Sequence, residues 1–140
     1  MRYLLLICLL PVLSLCAADV TTDEADYEAY QTRQKTIREA VAVLDALLAE
    51  KHVLRNIVDD VKDRFRGVTA EQAMSAWRTQ VRAITDRDAK WAAYGPLRDA
   101  DAMISKLKER YGTNTIVATL AALNAAIDAA QAAVQAARAD

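Results

Sequence analysis

The sequence predicts an all-α fold: an elongated antiparallel helical bundle of about four helices, with a long first helix and coiled-coil-like seams, preceded by a signal peptide. Three observations lead there. From Asp23 onward, apolar side chains recur at intervals of three and four, the spacing of one face of an α-helix. Glycine and proline, the residues that punctuate helices, fall only at Gly67, Gly95-Pro96 and Gly112 once Pro11 in the apolar leader is set aside. No stretch reads as a strand.

Met1-Arg2 supplies a short basic start, Tyr3 to Leu15 a continuous apolar run, and Cys16-Ala17-Ala18 the small side chains that a signal peptidase recognises. The run is about sixteen residues counted to Ala18 and carries Pro11 in its middle, whereas a membrane-spanning helix needs roughly twenty. Residues 1–18 are therefore expected to be a secretory signal peptide, cleaved after Ala18, and residues 19–140 a single helical domain. That leaves roughly 120 residues, enough for one core and too few for two. Both cysteines, Cys8 and Cys16, lie in the signal segment, so the cleaved chain has no disulfide and must rely on an apolar helical core. This points to export into a bacterial periplasm. Cys16 keeps an outer-membrane lipoprotein open as the alternative, because Leu13-Ser14-Leu15-Cys16 has the aliphatic residue of a lipoprotein signal, although Leu15 stands where a small residue is expected. Membrane attachment is expected only through lipidation at Cys16. Loss of Arg2 would take the net charge from −1 to −2, with acids and bases interspersed. No basic stripe is present to bind nucleic acid.

The first helix is expected from about Asp23 to Phe65. Tyr27, Tyr30, Ile37, Val41 and Leu44 form its first apolar line and Leu47, Leu54, Val58, Val61 and Phe65 a second. The phase slips near Leu47 to Lys51, so the seam is expected to rotate and the two halves to meet different partners. A forty-residue helix is about 60 Å long. Thr69-Ala70-Glu71-Gln72 is a capping box and opens the second helix. That helix is expected to run to about Tyr94, with Ala70, Met74, Trp77, Val81, Ile84 and Trp91 on one seam and Asp88 its one polar member. Pro96 is expected to open the third helix, with Leu97, Ala100, Ile104, Leu107 and Tyr111 as its stripe and Gly112 as its end. Thr113-Asn114-Thr115 offers caps for the last helix, whose seam is Ile116, Leu120, Leu123, Ile127, Ala130, Val134 and Ala137. The remainder of that helix is mostly alanine, which suits either a broadly buried bundle helix or a tail that pairs with a second copy.

Few residues suggest chemistry. His52 is the only histidine and aligns with Asn56, Asp59 and Asp63 along the first helix. A closed zinc site needs about four nitrogen, sulfur or carboxylate ligands, so this line reads as a solvated face. Ser75 and Ser105 lack the strained strand-to-helix turn that activates a serine nucleophile. Asp59-Asp60, Asp86 with Asp88, and Asp99 with Asp101 read as solubilising pairs. Trp77 and Trp91, two heptads apart, read as core aromatics.

Two stretches resemble known families. Leu47-Leu48-Ala49-Glu50-Lys51, followed by Leu54, Val58 and Lys62, resembles the long first helix of the all-helical chorismate mutases, some of which are exported. The resemblance implies that Lys62 matches a family lysine that binds the carboxylates of chorismate. Lys51 and Gln34, however, stand where that family has arginines, and lysine does not replace arginine at a bidentate site. Val68-Thr69-Ala70-Glu71-Gln72 resembles the Leu-Thr-x-x-Gln motif of small periplasmic helical chaperones of the Spy type, here in one copy.

The expectation is an exported helical interaction protein, structural, adaptor or chaperone-like, acting by protein–protein contact with a partner or with itself as a homo-oligomer. The alternative is an exported chorismate mutase-like enzyme or a lipid-anchored envelope protein of the same fold. The residues assign no catalytic, cofactor-binding or metal-ligating position, and no cofactor.

Overall fold

The computed structural model describes the backbone of residues 4–139 and the side chains of residues 22–139. Four helices, and no strand among the described residues, make up the chain: α1 (Leu4–Arg64), α2 (Ala70–Arg82), α3 (Arg87–Tyr111) and α4 (Ile116–Ala139). The expected signal peptide with its cleavage at Ala18, and the lipidation alternative at Cys16, lie outside the described side chains.

Each junction has a local chemical cause. Lys62 and Arg64 place cations in the last turn of α1, and Gly67, at φ 80°, turns the chain where a Cβ would be strained. The Thr69 hydroxyl accepts from the Gln72 amide at 3.3 Å while the Gln72 side chain accepts from the Thr69 amide at 3.1 Å, so the expected capping box forms. At the end of α3, Gly112 is left-handed (φ 62°); its N–H donates to the Glu109 carbonyl and that of Thr113 to the Lys108 carbonyl, the two bonds of a Schellman cap. Thr115 caps α4 by accepting from the Ala118 amide at 3.1 Å.

The expected boundary between the second and third helices is overturned. α2 ends at Arg82, and Gly95-Pro96 lies inside α3. The break falls where the Asp86 carboxylate accepts from the Ala89 amide at 2.8 Å, an N-cap that outcompetes helix continuation. Proline survives within α3 because the turn that follows it is anchored: Leu97 and Ala100 are both buried in the core. Asp88, out of place on an apolar seam, is an acidic residue in the first turn of a new helix.

The rotation expected in α1 appears as a change of flank. Two lines of buried and half-buried positions seven residues apart run along it, Ile37, Leu44, Lys51, Val58 and Phe65, and Ala40, Leu47, Leu54 and Val61. Beside them Gln34 and Val41 are half-buried on one side in the first half, and Glu50 and Ile57 on the other side in the second, so the seam turns around the helix near Leu47 to Lys51. The two halves of α1 do meet different partners. The last turn of α4 lies against the first half, where the Arg33 guanidinium donates to the Arg138 carbonyl at 2.6 Å. Its first turn is held by α2, whose Glu71 carboxylate accepts from the Ile116 amide at 2.6 Å, so α4 lies antiparallel along α1. α2 and α3 form an antiparallel hairpin, joined by Lys108–Glu71 at 3.0 Å toward one end and Arg78–Asp101 at 2.6 Å further along. The last turn of α3 reaches α1 through Arg110 and Glu50.

All four helices meet in one core. Leu54, Val61, Met74, Leu107, Ile116 and Leu123 are each 0–1% exposed there, and full burial of such side chains stabilises by roughly 1.5–3 kcal/mol each. Thr119 is the one fully buried polar side chain among the described residues; its hydroxyl donates to the Thr115 carbonyl at 2.7 Å and meets the Thr113 hydroxyl at 2.7 Å. α4 buries a single strip, Ile116, Thr119, Leu123, Ile127, Ala130 and Val134. Its outer alanines, among them Ala118, Ala125 and Ala132, are exposed, so the expectation of broad burial gives way to one-sided packing.

Candidate functional site, an aromatic and cationic groove

A groove of about 420 Å³ runs between the end of α2 and the start of α3. Its formation follows from the position of the Asp86 cap. Four residues separate the end of α2 from the start of α3, so the first two turns of α3, Arg87 to Tyr94, flank the last turns of α2. The buried face of α3 is Leu97, Ala100, Ile104 and Leu107. Trp91 lies six residues before Leu97, about 240° round the helix at 100° per residue, and so points away from the core. It is 74% exposed, and Tyr94 is 45% exposed beside it, with ring centroids 6.4 Å apart. The expectation that Trp77 and Trp91 share a core face holds only for Trp77, because the break between them resets the helical phase.

Beneath the aromatic pair, Val81 and Leu97 form an apolar floor. At the deeper end the Arg78 guanidinium grips Asp101, with Nη2 at 2.6 Å from Oδ1 and Nε at 3.1 Å from Oδ2. That hydrogen bond raises the arginine pKa above its ordinary value, against an opposing effect of partial burial. The pair is locally neutral. Three further cations border the groove. Lys90 donates through Nζ to the Arg82 carbonyl at 3.1 Å, which satisfies an orphan acceptor at the end of α2 and leaves the positive charge in place. Arg87 is 3.6 Å from Asp88 in a fully solvated pair whose energetic value is slight. The Arg82 side chain has no ion pair or side-chain hydrogen bond among the described residues. The groove is thus an amphipathic surface with aromatic walls and positive edges, on a chain whose net charge is −1.

A second groove of about 390 Å³ lies on the other side of α3, where Val53, Ile57, Met103 and Pro96 surround an edge of Trp77. Its two carboxylates are already engaged, Asp60 by Arg64 at 3.2 Å and Asp99 by Arg98 at 3.5 Å, and Arg64 stacks over Trp77 at 5.2 Å.

The residues singled out in the sequence occupy other places. His52 is exposed and its Nε2 lies 3.1 Å from the Asn56 side-chain amide, and no three His, Cys, Asp or Glu side chains gather as a metal site among the described residues. Ser75 and Ser105 are exposed, without a bond to His52. Among the paired aspartates, Asp86 is a helix cap, Asp101 is clamped by Arg78, Asp60 meets Arg64 and Asp99 meets Arg98. Lys51 is half-buried in the α1 seam, Lys62 is exposed, and neither they nor Gln34 line either of the two grooves. Thr69 and Gln72, the residues that carry the chaperone-like motif, are used by the start of α2. The groove was missed because Arg78, Arg82, Arg87 and Lys90 read as interspersed charges; their density over thirteen positions was the available signal. No protein-family model, curated protein or solved structure matches this chain.

Proposed function

We propose that this protein is an exported helical interaction protein, acting by contact with a partner polypeptide through the α2–α3 groove, with residues 1–18 as its export signal. The observation that supports the reading is the solvent-facing Trp91 beside Tyr94 at the mouth of a cation-bordered groove. Tryptophan, tyrosine and arginine are the side chains that dominate binding energy at protein interfaces, since they add large contact area with a polar handle. A buried core of this size does not need Trp91, and a solvated tryptophan forgoes the stabilisation that burial brings. Structural, adaptor and chaperone-like roles all use such a surface.

The test is a photoreactive phenylalanine analogue at Tyr94, with a control at Ala125 on the outer face of α4, both exposed. Irradiation in the native cell should give protein adducts from position 94 that vanish when Trp91→Ala is added. Absence of a protein adduct from both positions would refute the reading.

A further inference from the structure

We infer that the α2–α3 groove docks an acidic polypeptide segment that carries an aromatic or long aliphatic side chain; this rests on the interaction reading and gives the partner its chemistry. Charge is the first argument. With Arg78 neutralised by Asp101, the remaining edge charges are Arg82, Arg87 and Lys90, all positive, on a chain that is otherwise slightly acidic. Their field selects an anion and speeds its encounter.

Spacing is the second argument. Arg87, Lys90 with Trp91, and Tyr94 follow one another by one helical turn, so they form a ladder about 10 Å long. Three residues of an extended peptide span that distance at about 3.3 Å each. Successive carboxylates of one segment thus meet Lys90 and Arg87 while a neighbouring apolar side chain rests between Trp91 and Tyr94, above Val81 and Leu97. A small carboxylate would engage one cation and leave the others unmatched.

Nucleic acid is the competing polyanion, since aromatics with cations also stack bases. The shortness of the basic patch argues against it. Arg82, Arg87 and Lys90 lie within nine positions, and among the described residues no uninterrupted run of cations continues from them to follow a phosphate backbone.

The experiment is fluorescence anisotropy of a labelled synthetic peptide, glutamates flanking a central Phe-Leu pair, titrated with the intact protein. The expected result is saturable binding that weakens with added salt. Trp91→Ala, and separately the Arg82→Glu/Arg87→Glu double variant, should each weaken it at least about tenfold, as loss of an interface anchor does. All three altered side chains are exposed, and unchanged circular dichroism will show that the variants fold. A peptide with lysine for glutamate should not bind, and one with alanine for the Phe-Leu pair should bind about tenfold more weakly. Failure of the glutamate–Phe-Leu peptide to bind, equal binding of all three peptides, undiminished binding by the variants, or tighter binding of an oligothymidine would overturn the inference. Sequencing the segment crosslinked at Tyr94 separates the two levels of failure. A partner segment without acidic residues defeats this chemistry but leaves the interaction reading standing, whereas no protein adduct defeats both.

Discussion

Replacing Pro96 with alanine should stabilise the protein, although a proline that opened a helix would be missed if removed. Pro96 sits ten residues into α3, so its missing N–H leaves the Ala92 carbonyl without its helical donor and its ring presses on that turn. A proline in a helix interior is about 3 kcal/mol less favourable than alanine. Allowing about 1 kcal/mol for the freedom alanine restores to the unfolded chain leaves a net gain of about 2 kcal/mol. For a domain of this size that is a rise of roughly 6–10 °C in melting temperature. Gly95 is coupled to it. The residue before a proline is pushed out of the helical region by contact between the proline ring and its own Cβ, which glycine lacks. Gly95→Ala alone should therefore gain less than the roughly 1 kcal/mol expected of a glycine inside a helix, or lose stability. In the Pro96→Ala background it should gain that full amount, because a Cβ built at position 95 meets nothing within 4 Å beyond its chain neighbours. Thermal and urea unfolding followed by circular dichroism of the two single variants and the double variant measures the coupling. A lower midpoint for Pro96→Ala, with strict additivity in the double variant, would show that α3 starts at Pro96 and that this reasoning is wrong.

Asp86→Ala should cost about 1 kcal/mol through loss of the N-cap, read from the urea midpoint; an unchanged midpoint would mean that no helix begins there. Gly112→Ala should cost about 1 kcal/mol even though space is open around it, since its φ of 62° is strained for any residue with a Cβ. Glu71→Gln should cost about 1 kcal/mol, as it discards the ion pair to Lys108 and weakens the bond to the Ile116 amide; faster amide exchange confined to the first turn of α4 is its signature. Leu123→Ala, at a fully buried site, should cost about 2–5 kcal/mol by calorimetry, and a loss below 1 kcal/mol would place Leu123 outside the core.

The groove itself was the least legible part of the chain. Trp91 reads as a core-seam residue because it falls fourteen residues after Trp77, a spacing that has meaning only within one unbroken helix. Arg78 and Asp101 are 23 residues apart, and nothing local in either segment marks them as partners. Lys90 and Arg82 belong to different helices, so the bond from one to the other's carbonyl requires the turn at Asp86 to have formed.

What the sequence by itself determined is whatever depends on neighbours within one or two helical turns. The all-helical fold, the Thr69–Gln72 box, the stop at Gly112 and the buried line of Ile116, Leu123, Ile127 and Val134 are of this kind, since helical period and capping act over three to seven residues. Tertiary structure decided every choice in which two local signals competed. Asp86 and Gly95-Pro96 both offered an end to a helix, and burial of Leu97 and Ala100 one turn later kept the chain helical through the proline while the break went to the aspartate. Lys51 interrupts an apolar pattern, yet it is half-buried on the seam of α1, whose flank changes there from the Gln34 and Val41 side to the Glu50 and Ile57 side. Glu71, an unremarked member of a capping box, became the acceptor that fixes the start of α4 because the chain returns there 45 residues later. The orientation of Trp91 belongs to the same class: it depends on where α3 begins, and that is settled by the core the helix must cover.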